Sequence, residues 1–116
     1  MTKKLFTALA VLALSGCASI VIPPERLERS QASIRGAEEL GASGVPAAKL
    51  HLQLAKDQTE TAKRMADSGD ERAILVQARA EADAELALVL AREAQTHTEA
   101  MQAAEDLKAV QARGTP

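Results

Sequence analysis

From Pro24 onward, apolar positions recur every three or four residues, the period of an amphipathic α-helix, with no run of strict two-residue alternation. The first helix is predicted over residues 24–40. Glu25 stands in its first turn, and Leu27, Ile34, Ala37 and Leu40, with Ser30 or Gln31 between, form a narrow apolar stripe. Gly41 supplies a left-handed stop. The connection Gly41-Ala42-Ser43-Gly44-Val45-Pro46 leads into a second helix over 46–67, with proline at the first helical position. That helix carries two apolar faces. Ala47, Leu50, Leu54, Thr61 and Met65 share one, and Leu52, Ala55, Thr59, Ala62 and Ala66 share the other, so it is expected to lie centrally between two neighbours.

Ser68-Gly69-Asp70-Glu71 predicts a tight helical hairpin. Gly69 takes the stop, Asp70 caps the next helix, and Ser68 with Glu71 has capping-box spacing. The third helix, over 70–113, meets no Gly or Pro after Glu71 and runs about 65 Å at ~1.5 Å per residue. Ile74, Ala78, Ala82, Leu86, Val89 and Leu90 are expected to cover helix two, and the small Ala78, Ala80, Ala82, Ala84 and Ala87 permit close approach. Glu81 and Glu85 stand against Arg79 and Arg92 for local charge support. The expected fold class is all-α: a three-helix antiparallel arrangement, in effect a helical hairpin with a very long C-terminal helix, followed by a disordered tail at 114–116. Helix two is about half as long as helix three, which leaves 92–113 without a partner in the chain. Ala94, Thr98, Met101, Ala104 and Leu107 are therefore the candidate interaction residues, because exposed apolar side chains on a long helix usually have somewhere to pack.

Ahead of these helices, residues 1–16 have the parts of a secretory signal: basic Lys3-Lys4, an apolar run from Leu5 to Leu14, and small Ser15-Gly16. The apolar run is shorter than the ~20 residues that span a bilayer, so it is expected to be cleaved. Leu14-Ser15-Gly16-Cys17 resembles the bacterial lipobox, and the resemblance implies lipidation of Cys17 and cleavage before it. Several acyl chains at ~0.8 kcal/mol per buried CH₂ make a stable anchor. Residues 17–23 are read as the lipidated tether, with docking of the short apolar, β-branched run Ala18 to Ile22 on the domain as the alternative. No Asp follows Cys17, and by the same resemblance to Gram-negative lipoproteins this implies the outer membrane, periplasmic face.

Composition sharpens the picture of the core. The only aromatic residue is Phe6, in the leader, so the roughly 100 residues after cleavage must build a core from Leu, Ile, Val, Met and many Ala. Such a core is thin at ~25 cal/mol per Å² of apolar surface, and self-assembly or a partner is expected. Loss of Lys3 and Lys4 takes the formal charge from -2 to -4, with both signs interspersed. With no basic cluster and no stacking aromatic, nucleic acid is not expected as a partner.

Candidate chemistry is sparse. His51 and His97 lie on different helices, near Asp57 and Glu93, without ligand spacing, and are read as solvated side chains with no metal. The carboxylates Glu38-Glu39, Asp70-Glu71, Glu81-Asp83-Glu85 and Glu105-Asp106 are read as solvated helix faces. With no phosphate loop, no nucleophile elbow and the sole cysteine assigned to lipid, no enzyme activity, cofactor or small-molecule substrate is expected.

The lipobox, Pro46 to Leu50, Ala55, the Ser68-Gly69-Asp70 turn, Ala73 and Ala82-Asp83-Ala84-Glu85-Leu86-Ala87 together resemble the small bacterial lipoproteins grouped as domain of unknown function 4398, over roughly residues 32–94. The resemblance implies an all-helical periplasmic domain and transfers no catalytic residue. The function expected is that of a structural or adaptor lipoprotein of the cell envelope, meeting an envelope protein or its own copy through the long helix. The alternative is a tetratricopeptide-like module that holds a peptide or glycan in a groove between helices. Peptidoglycan tethering in the manner of the major murein lipoprotein ranks behind both, since the chain ends in Thr115-Pro116 rather than lysine.

Overall fold

The computed structural model describes residues 19–114, so the leader, the lipobox and Cys17 lie outside the described residues. Three helices, α1 (Pro24–Glu39), α2 (Pro46–Asp67) and α3 (Ala73–Arg113), run up, down and up, with a short 3-10 turn at Ala42–Gly44 between the first two. Proline opens both α1 and α2, where its missing N–H costs nothing and its fixed φ suits the first helical residue.

Both connections close on a left-handed glycine, Gly41 at φ 75° and Gly69 at φ 77°. At Gly69 the amide donates to the Ala66 carbonyl (3.0 Å) and the Asp70 amide to the Met65 carbonyl (2.9 Å). This crossed pair satisfies the last carbonyls of α2. Here the structure departs from the expected capping box. Ser68 Oγ turns back to donate to the Met65 carbonyl (2.9 Å). Asp70 does the capping, accepting from the Arg72 amide (3.0 Å) and from the Arg72 guanidinium. Those bonds hold the Asp70 carboxyl below its ordinary value. The Ala73 amide bonds to the Asp70 carbonyl, so residues 70–72 form an entry turn and α3 begins at Ala73 rather than at 70.

Helix α3, not α2, is the central element: α1 and α2 both pack along it and touch each other only sparingly. Its buried face is also not the expected one. Ala73, Gln77, Ala80, Ala84, Ala87 and Ala91 are buried, whereas Ile74, Leu86 and Val89 are exposed and Ala82 faces solvent. On α2 the face of Ala48, Leu52, Ala55, Thr59, Ala62 and Ala66 is buried and Leu50 and Leu54 are exposed. Alanine on both sides brings the helix backbones together, a contact that bulkier side chains at the same positions would prevent.

The core splits into two clusters. Ala37, Ala42, Ala48, Leu52, Ala87 and Ala91 form one near the α1–α2 turn, and Ile22, Ala62, Ala66 and Ala73 form the other at the α2–α3 turn. The buried Ser30, Thr59 and Gln77 add polar groups to this core. Gln77 Nε2 donates to Ser30 Oγ (2.8 Å), and Ser30 Oγ donates to the Arg26 carbonyl (3.0 Å). Gln77 Oε1 is buried with no hydrogen-bond partner among the described residues.

Charged pairs pin the outer helices to the central one. Glu81 was expected to act within its own helix; instead it pairs with Arg29 (2.7 Å) and, more distantly, Arg26 (4.0 Å) on α1. Gly36 on α1 sits against the Leu88 side chain, and a Cβ there would lie 3.1 Å from one methyl. Because Leu88 is only half-buried and its methyl can move by a few tenths of an ångström, the helix propensity gained prevails. Gly36→Ala is expected to raise the unfolding free energy by about 0.5 kcal/mol in urea denaturation, and Gly36→Leu to lower it.

Candidate functional site: the outward face and free half of the long helix

Helix α2 begins at Pro46, and the first cluster ends at Ala91; beyond that point no described residue of α3 is buried. Residues 92–113 therefore run about 33 Å beyond the last buried residue of α3 at 1.5 Å per residue. Met101, Leu107 and Val110 are each more than half exposed on this extension.

The five candidate residues divide between two faces. With successive side chains turned by about 100°, Ala94, Thr98 and Met101 continue the side of α3 that faces α2, while Ala104 and Leu107 turn to the outward side. Ala94 and Thr98 border a shallow notch with Leu40, Gly41, Gly44 and Val45, where the α1–α2 turn meets α3. Thr98 Oγ1 is committed to the Ala94 carbonyl (2.9 Å), so the notch offers mainly small apolar surface.

The outward side holds a longer feature. Leu75, Ala82, Leu86, Val89, Ala100, Ala103 and Leu107 follow alternating three- and four-residue steps, interrupted by Arg79, Glu93 and Thr96. Such spacing places side chains on one seam of a helix, the arrangement by which helices pair in coiled coils. Leu75 is 65% exposed, Val89 54% and Leu107 58%. Val89, Glu93, Thr96 and Ala100 line one continuous depression, so the seam crosses from the bundled half of α3 into the free half. Of the five candidate residues only Leu107 lies on this seam, although counting sevens from Leu75 through Ala82, Val89, Thr96 and Ala103 finds it.

A polar cluster across α2 and α3 was also missed. Asp83 accepts from His51 Nδ1 (2.7 Å) and from Gln58 Nε2 (2.9 Å), two residues seven apart on α2. His51 is half-buried there and pairs with Asp83 rather than standing near Asp57 in solvent; His97 is exposed. One carboxylate bridging two turns of the facing helix fixes the register of α2 against α3, and that is its role in this geometry. No group of three His, Cys, Asp or Glu side chains is placed to hold a metal ion among the described residues, and no described helix is long and apolar enough to cross a membrane.

The segment ahead of α1 is docked. The Ile20 amide donates to the Ala66 carbonyl (3.1 Å), and Ile22 is buried in the cluster at the α2–α3 turn. Of the segment read as a tether, Ile20 and Ile22 are therefore docked on the bundle, and Cys17 and Ala18 lie outside the described residues. No family model, no curated protein and no solved structure matches this chain.

Proposed function

We propose that the chain is a periplasmic lipoprotein, anchored in the outer membrane through Cys17, with a structural or adaptor role in the cell envelope exercised through α3. The observation that carries the adaptor role is the length of α3: 41 residues against 22 in α2, leaving a free half with Met101, Leu107 and Val110 exposed. An isolated helix draws little stability from propensity alone, and an exposed seam continuous with the bundle is matched by a second helix laid along it. The anchor rests on the basic, apolar and small-residue order of 1–16 and on the sole cysteine at 17. The tetratricopeptide-like alternative draws no support from the geometry, since α1 and α2 barely touch and α3 occupies the place of a groove between them.

Two measurements test the proposal. Labelled palmitate is expected to enter the full chain and not Cys17→Ala; label retained in the variant removes the anchor. A photoreactive residue at Met101 or Leu107 is expected to give a discrete adduct with an envelope protein or a second copy. A chain ending at Arg92 is expected to lose the partner while keeping its helical core, because every buried residue among those described lies before that point. A full chain that sediments as a monomer and forms no adduct at either position removes the adaptor role.

A further inference from the structure

The docked segment decides which end of the molecule meets the membrane. Ile20 is hydrogen-bonded to Ala66, in the last turn of α2, and Ile22 is buried against Ala62, Ala66 and Ala73. Cys17 precedes Ile20 by three residues, and three residues of fully extended chain reach about 10 Å. The acyl chains proposed for Cys17 must therefore start within that distance of the α2–α3 turn. The opposite end of α3 lies about 60 Å from Ala73 at 1.5 Å per residue.

The same end carries exposed apolar side chains with no bundle partner to explain them. Val21 is 77% exposed, Leu75 65% and Ile74 41%, beside the turn formed by residues 67–72. The turn and the last turn of α2 hold Asp67, Asp70 and Glu71 against Lys63, Arg64 and Arg72, with no net charge. This end therefore offers anionic headgroups no net attraction, and its exposed apolar side chains are what it presents to a bilayer beyond the anchor.

We infer that the α2–α3 turn end, with Val21, Ile74 and Leu75, rests on the lipid surface, and that the docked Ile20–Ile22 strap holds α3 so that its free half stands away from the membrane. This orientation rests on lipidation of Cys17, and the strap is what distinguishes it from attachment through a loose tether, which would leave every orientation open.

The test uses the full-length lipidated chain in phosphatidylcholine vesicles that carry a headgroup quencher. A fluorophore is placed at Glu71→Cys or at Ala112→Cys, each the only free thiol once Cys17 is acylated. The chain is expected to float with the vesicles, with the probe at 71 strongly quenched and the probe at 112 untouched. Inserting about ten Gly and Ser residues after Ala18, a flexible spacer of roughly 18 Å, is expected to weaken quenching at 71 without disturbing the bundle. A chain that floats but is quenched equally at both positions, or more at 112, overturns the orientation while leaving the anchor intact. Contrast that the spacer does not reduce removes the strap from the account. A chain that fails to float overturns the anchor and the orientation together. Replacing half of the phosphatidylcholine by phosphatidylglycerol is expected not to increase quenching at 71; an increase assigns the contact to charge instead of apolar side chains.

Discussion

Leu52→Ala is expected to lower the unfolding free energy by about 3 kcal/mol, within the 2–5 kcal/mol typical of buried leucines. Among the described residues, Leu52 and Ile22 are the only buried apolar side chains larger than alanine. Leu52 is 4% exposed and stands at the meeting of all three helices, among Ala37, Ala48, Ala87 and Ala91. The buried alanine neighbours have no side-chain freedom with which to fill the space left behind, and Ile34, Leu40, Leu88 and Leu90 reach it only from the partly buried edge of the cluster, so part of the cavity persists and adds to the lost transfer energy. Small domains commonly hold 5–15 kcal/mol in total, so this one change removes a large share. Urea denaturation followed by far-ultraviolet circular dichroism reads the effect as a lower midpoint with an unchanged slope. A loss below about 1 kcal/mol would mean that Leu52 is not packed as described.

The second large effect comes from adding volume. Ala84→Leu places three further carbon atoms where α3 faces its neighbours with no exposed surface at all, and a loss of about 3 kcal/mol is expected, at the upper end of overpacking costs. Ala82→Leu, two residues away and exposed, is expected to change stability by less than about 0.5 kcal/mol. Thermal and urea denaturation of the two variants side by side reads the phase of α3 directly. If Ala82→Leu proves the more damaging, the buried face of α3 is the other one.

That phase is where the sequence is hardest to read. Helix limits were legible because the punctuation is strong: Pro24 and Pro46 open helices, Gly41 and Gly69 close them, and the start of α3 moved only because Asp70 caps an entry turn ahead of the helix. Which side of α3 is buried was not, because the reading follows the larger apolar residues, and Ile74, Leu86 and Val89 lie away from the interface that Ala73, Ala80, Ala84, Ala87 and Ala91 form. Alanine is compatible with either side of a helix, so its burial is decided by how closely the backbones approach, which no local pattern reveals. The central place of α3 follows from the same choice.

The candidate site was legible in part. A helix nearly twice the length of its partner leaves a free half whatever the packing, so 92–113 was identifiable from the chain alone. The outward seam was hidden because Ala82, Leu86 and Val89 had been assigned to an interior they do not enter. The His51–Asp83–Gln58 cluster joins residues 25 to 32 positions apart and has no local signature. Docking of Ile20 and Ile22 was one of two open readings of a short apolar segment, and burial decided between them.

The alanine-lined contact also sets how the fold responds to temperature. Alanine loses no rotamer freedom on burial, so the ordering cost of this core is mostly that of the backbone, and the gain per residue is small in the same measure. With little apolar area exposed on unfolding, the heat-capacity increment falls below that of a leucine-filled bundle of equal length, and the curve of stability against temperature flattens. A core made of the smallest apolar side chain thus gives up height at the optimum and gains breadth around it.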